Sequence, residues 1–93
     1  MEKLELEVIS PERVLFSGEV LRVTLPGEAG AFTILPRHAP IVSSLTAGEV
    51  VYVPSGGGER RQLAVAGGLV EMNGRRVSAC VELPPQSDKE EPR

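Results

Sequence analysis

"LVEMNGRRVSACV", residues 69 to 81, sets the reading frame for the rest of the chain. Leu69, Val70 and Met72 lead into Asn73-Gly74, and Val77, Ala79 and Val81 follow at every second position. Apolar residues at a period of two mark a half-buried strand, because successive side chains of a strand point to opposite faces. Asn-Gly between two such runs predicts a two-residue hairpin with a type I′ turn, since both central residues of that turn need positive φ.

The same period recurs outward from this hairpin. Leu4, Leu6 and Val8 alternate with Glu5 and Glu7, and Leu21, Val23 and Leu25 alternate with Arg22 and Thr24. Val51 and Val53 interleave with Val50 and Tyr52, a strand buried more on both faces, and Leu63 with Val65 adds another. Between the runs fall Ser17-Gly18, Pro26-Gly27, Ala47-Gly48, Gly56-Gly57-Gly58 and Gly67-Gly68, all turn signals. Apolar residues nowhere recur at helical spacing over a dozen positions. These features predict an all-β domain, a sandwich or barrel of about eight to ten short, mostly antiparallel strands.

The chain has 93 residues, too few for two cores. Residues 1–83 are expected to form the one domain, and residues 84–93, charged and opened by a Pro pair, a flexible tail. Thirteen acidic residues against ten basic give a net charge of −3. The two Arg pairs, Arg60-Arg61 and Arg75-Arg76, build no one-sided basic patch, which argues against nucleic acid as a partner. Cys80 is the single cysteine, so no internal disulfide forms and a cytosolic setting is expected. Early charges at Glu2, Lys3, Glu5 and Glu7 exclude a signal peptide. No apolar run approaches the ~20 residues that span a bilayer, so no direct membrane insertion is expected.

Candidates for chemistry are few. One His and one Cys do not make a zinc site, and no metal or cofactor is implied. Cys80, between Ala79 and Val81, reads as buried and inert. His38 as a general base lacks a neighbouring Asp to orient it. Glu5 and Glu7 lie about 7 Å apart on one strand face by strand rise, and read as a solvated face rather than a catalytic pair. The Gly-rich "SGGGE" at 55 to 59 lacks the Lys and the helix of a phosphate loop, and reads as a hairpin tip. A catalytic role is therefore not expected. A small β-module that binds a carbohydrate or another small ligand is the alternative, but Phe16, Phe32 and Tyr52 are too few aromatics for such a site.

"VTLPGEAGAFTILPRHAP", residues 23 to 40, stands apart: three prolines and the single histidine crowd into two turns. Proline-stiffened loops lose little entropy on docking, which suits a permanent protein contact, or they only shape the turns of a tight sandwich.

Three segments carry a family resemblance. "ISPERVLFSGEV" (9–20), "LPGEAGAFTILPRHAPIVSSLTAGEV" (25–50) and "LAVAGGLVEMNGRRVSACV" (63–81) resemble, in order and spacing, the epsilon subunit of the rotary ATP synthase. The resemblance spans about residues 4 to 82. It implies a flattened β-sandwich at the foot of the central stalk, bound to the gamma subunit and resting on the c-ring. It implies a non-catalytic coupling role, peripheral to the cytoplasmic face of the bacterial inner membrane.

By the same resemblance, the turn at 27–32, with Glu28, Ala31 and Phe32, faces the c-ring. The 37–44 segment, with Arg37, His38, Ala39, Pro40, Ile41 and Ser43, lies near gamma. Two positions depart from the family pattern: Ala31 stands where an acidic residue is common, and Arg37 where Gly is common. Family members usually continue into a helical hairpin that restrains ATP hydrolysis and, in some species, binds ATP. The sequence here resembles the short forms without it, and no ATP binding is expected.

Overall fold

The computed structural model describes residues 2–85, and those residues form strands, turns and no helix. Eight strands follow in order: β1 (Leu4–Ile9), β2 (Val14–Gly27), β3 (Gly30–Ile34), β4 (Ile41–Leu45), β5 (Gly48–Pro54), β6 (Arg61–Val65), β7 (Gly67–Asn73) and β8 (Arg76–Glu82). The all-β architecture matches the alternation in the sequence. Of the expected tail, residues 86–93 lie outside the described residues.

The fourteen-residue β2 is the spine. Its first half pairs antiparallel with β1, and its second half with β3 and β5. One ladder runs β4-β7-β8-β1 into β2, and the other runs β3-β2-β5-β6. All pairings are antiparallel except β1 with β8. That parallel pair joins strands from opposite ends of the chain, and local sequence carries no signal for it.

Every strand contributes to one apolar core. Leu4, Leu6 and Val8 of β1, Val20, Val23 and Leu25 of β2, and Val70, Met72, Val77 and Ala79 of β7 and β8 are at most 1% exposed. On β2, Val20 and Val23 both face inward although they lie three positions apart, which simple alternation forbids. The pairing of β2 with β5 slips between Val20 and Arg22, and such a bulge resets the phase of the strand. The expected inward set of Leu21, Val23 and Leu25 is corrected accordingly: Val20 takes the first core place, and Leu21 is left half-buried.

Several turn signals do not coincide with the turns. Ser17-Gly18 sits within β2, pairing with Glu7 and Leu6. Pro26 and Gly27 pair with Ala31 and Gly30, so the turn itself is Glu28-Ala29. Asn73 pairs with Arg76, leaving Gly74-Arg75 as the two central residues of the β7–β8 hairpin. Gly74 has φ 67° while Arg75 has no positive φ, the pattern of a type II′ turn rather than type I′. This register keeps Met72 opposite Val77 and Val70 opposite Ala79, so core pairing decides the turn.

Gly74 has open space where a Cβ would stand, so substitution there meets only the dihedral penalty. Gly74→Val is expected to lower stability by about 1–2 kcal/mol in urea denaturation, and an unchanged midpoint would contradict the turn assignment.

Candidate partner-binding surface

The β2–β3 hairpin projects Glu28 and Ala29 at its tip, with Glu28 and Ala31 both exposed. Phe32 does not share that exposure. Its ring packs against the core and folds over Gly27, where an added Cβ would lie 2.8 Å from both a Phe32 ring carbon and the Gly30 carbonyl oxygen. Two backbone bonds fasten the tip to the end of β4: the Glu28 N–H donates to the Ser44 carbonyl (3.1 Å), and the Thr46 N–H to the Pro26 carbonyl (2.8 Å). The hairpin is thus a stiff projection.

After β3 the chain reverses through Leu35-Pro36-Arg37-His38, closed by the His38 N–H donating to the Leu35 carbonyl at 3.0 Å. Pro36 supplies the fixed φ of the first central position, and Arg37 adopts φ 74° at the second. That is a type II turn, whose second central residue is ordinarily Gly. Arg37 takes on the glycine conformation with a full side chain. His38 is half-buried, and its Nδ1 lies 2.6 Å from the Ala39 carbonyl oxygen rather than near a carboxylate. Ala39 and Pro40 are exposed.

Along β4 the strand alternation separates the named residues. Ile41 turns inward onto the core and Ser43 is half-buried, opposite Met72 and Val70. Val42, 66% exposed, and Ser44 take the outer face. Five of the nine candidates, Glu28, Ala31, Arg37, Ala39 and Pro40, are therefore open to solvent. Phe32, His38, Ile41 and Ser43 are partly covered, and the apolar residue that β4 turns outward is Val42.

Val42 belongs to a larger outer face. The ladder places Ser44 beside Leu69, Leu69 beside Cys80, Cys80 beside Ile9 and Ile9 beside Val14. Leu69 is 47% exposed and Val14 is 56% exposed. Cys80 is exposed as well, which corrects the expectation that it is buried. Ala79 and Val81 on either side of it face inward, so strand alternation turns Cys80 out. A cleft of about 470 Å³, with Ile9, Pro11, Leu69 and Cys80 in its wall, runs along this row. Adjacent apolar residues in the strands, Leu69-Val70 and Ile41-Val42, were the sequence signal for it. Two neighbours in a strand cannot both face one core.

The opposite end of the face is charged. Arg76 reaches Glu5 at 3.3 Å through Nη1 and Glu7 at 3.5 Å through Nη2. Glu5 and Glu7 are thus ion-paired surface residues, and pairs this exposed contribute at most about 1 kcal/mol each. Among the described residues no group of three or more His, Cys, Asp or Glu gathers at metal-binding distance. The aromatics offer no open ring for a sugar: Tyr52 is buried, its ring centroid 4.4 Å from that of Phe16, and Phe32 lies on the core. What the surface provides is a stiff hairpin, a stiff turn and an apolar row, the materials of a protein contact.

Comparison with known proteins gives the family of the fold. The family model described as ATP synthase, Delta/Epsilon chain, beta-sandwich domain matches residues 3–83. An ATP synthase epsilon chain of Bordetella petrii is 42% identical over 82 residues, covering 88% of this chain and 57% of the relative. One from Rhodospirillum rubrum is 41% identical over 81 residues, covering 87% and 60%. The chain thus spans about three-fifths of the length of these relatives. A chain of the Euglena gracilis mitochondrial ATP synthase, solved as OSCP/F1/c-ring, superposes with a TM-score of 0.78 at 20% identity, over 85% of this chain and 50% of that one. A chain of the Tetrahymena thermophila mitochondrial ATP synthase central stalk and c-ring gives 0.73 at 16% identity, over 97% and 75%. At those identities the likeness is one of fold.

Proposed function

We propose, for a chain that belongs to the ATP synthase delta/epsilon beta-sandwich family, a mechanical and non-catalytic role in the central stalk of a rotary ATP synthase. The domain clamps the c-ring to the gamma subunit, so that ion-driven rotation of the ring reaches the catalytic heads as torque. It works at the cytoplasmic face of the bacterial inner membrane, held there through its partners.

The observation that carries this reading is the apolar row left outside a complete core. Sixteen apolar residues already close the interior, so Leu69 and Val14 of the row are not needed there, nor is Val42, which shares the outer face beside Glu71. Exposed apolar side chains arranged along one sheet face have their use in a contact. Gamma is assigned to this row and to the adjoining 37–44 segment. The fastened β2–β3 tip, with Glu28 and Ala31, is assigned to the polar loops of the ring. A clamp that transmits torque needs stiff contacts on both sides, and the Pro36 turn and the fastened hairpin supply them.

Affinity purification of the tagged chain from detergent-solubilised membranes tests the role. Gamma and the c-ring are expected in the eluate. Recovery of the chain as a free monomer would overturn the proposal.

A further inference from the structure

Arg37 is a residue that the fold does not require. At φ 74° an L side chain is strained. Its guanidinium is tied to Glu2, with Nε and Nη2 each 2.7 Å from Oε2. The two side chains are 81% and 50% exposed, and an ion pair in such a setting returns little. Strain and pairing therefore cancel, and the arginine adds nothing net to stability. A strained position without a return in the fold points to use elsewhere.

A second guanidinium stands at the same place. Arg75, in the β7–β8 turn, lines a cleft of about 100 Å³ together with Glu2, Pro36, Arg37 and Gly74. Its Nε donates to the Lys3 carbonyl at 3.4 Å, and it makes no ion pair among the described residues. Two arginines and one carboxylate share the cleft.

We propose that this cleft receives a carboxylate side chain from the partner protein seated against the 37–44 segment, and that Glu2 holds the place of that carboxylate in the free domain. The inference rests on the reading that this segment faces gamma. The present occupant shows what the site accepts: a carboxylate whose one oxygen takes hydrogen bonds from both Nε and Nη2 of Arg37. A doubly charged phosphate would meet Glu2 with greater repulsion than a single carboxylate does. Exchanging one carboxylate for another costs little, and the gain comes from Arg75 and from excluding water beneath the partner.

The test measures the affinity of the full chain for purified gamma subunit of the same complex. Arg37→Gln and Arg75→Gln are each expected to weaken binding by about five- to tenfold, more at low salt than at high. Glu2→Gln is expected to tighten binding by about two- to threefold, because it removes the competitor. Thermal midpoints of the free variants should stay within about 3 °C of the parent.

The opposite signs are the discriminating result. A pair that serves only architecture would leave affinity unchanged in all three variants, or lower it in Glu2→Gln, and either outcome overturns the proposal. Co-sedimentation with phosphatidylglycerol vesicles that Arg37→Gln abolishes, with gamma affinity intact, would assign the cleft to lipid phosphate and overturn it too. A parent chain that fails to bind gamma overturns the coupling role itself, a result visible before any substitution is made.

Discussion

Gly68→Ala is expected to lower the unfolding free energy by at least about 3 kcal/mol, or to prevent folding. A Cβ at this position would lie 2.3 Å from the Cys80 carbonyl oxygen and 2.9 Å from the Val81 Cα. Both are backbone atoms of β8, so no rotamer change relieves the contact. Gly68 also holds φ 150°, a conformation L residues rarely adopt. Relief would require β7 and β8 to separate where Val70 and Val81 close the core. Urea denaturation followed by circular dichroism reads the result. A loss under about 0.5 kcal/mol would mean that the two strands do not approach this closely. Gly74→Val is the control, since it changes a glycine of the same hairpin without a steric clash.

Leu69→Asp is expected to do the reverse: leave the fold almost untouched and disable the contact. Leu69 is 47% exposed at the middle of the outer row, between Ser44 and Cys80. Losing its outward side chain should shift the stability of the free domain by less than about 1 kcal/mol. Under a partner, the new carboxylate would be buried without a counter-charge, and central interface positions of that kind carry 2 kcal/mol or more. Affinity for gamma should fall by roughly a hundredfold. Equal loss of stability in the free domain would place Leu69 in the core instead. Unchanged affinity would remove the row from the interface.

The all-β architecture was legible because alternation survives in nearly every strand: Leu4, Leu6 and Val8 face in, and Glu5 and Glu7 ion-pair outside with Arg76. The failures share one cause, in that long-range pairing overrode local signals. The bulge at Leu21 is set by where β5 meets β2, and it moved the core place to Val20. The partners Val77 and Ala79 shifted the hairpin turn from Asn73-Gly74 to Gly74-Arg75. Gly67-Gly68 looked like a turn, but the chain bends at Ala66 and the glycines serve a close strand approach.

Which side chains of the candidate segments face solvent was legible only in part. Naming the 37–44 segment by position alone took in Ile41 and Ser43, whereas the strand presents Val42 and Ser44. Arg37 shows the same limit. Its type II turn could be inferred from Pro36, but a residue other than Gly at positive φ became visible only in the structure.

Cys80 allows the most direct test, because it is the single cysteine of the chain and stands exposed on the row assigned to gamma. The rate at which iodoacetamide alkylates it, read by mass spectrometry of its own peptide, should be compared between the free chain and the assembled ATP synthase. Docking by the outer face of β4, β7, β8 and β1 should slow alkylation in the complex by at least about tenfold, since a covered thiol reacts only through transient opening. An equal rate in the free and assembled states would contradict the account, because the apolar row would then face water while the domain is bound.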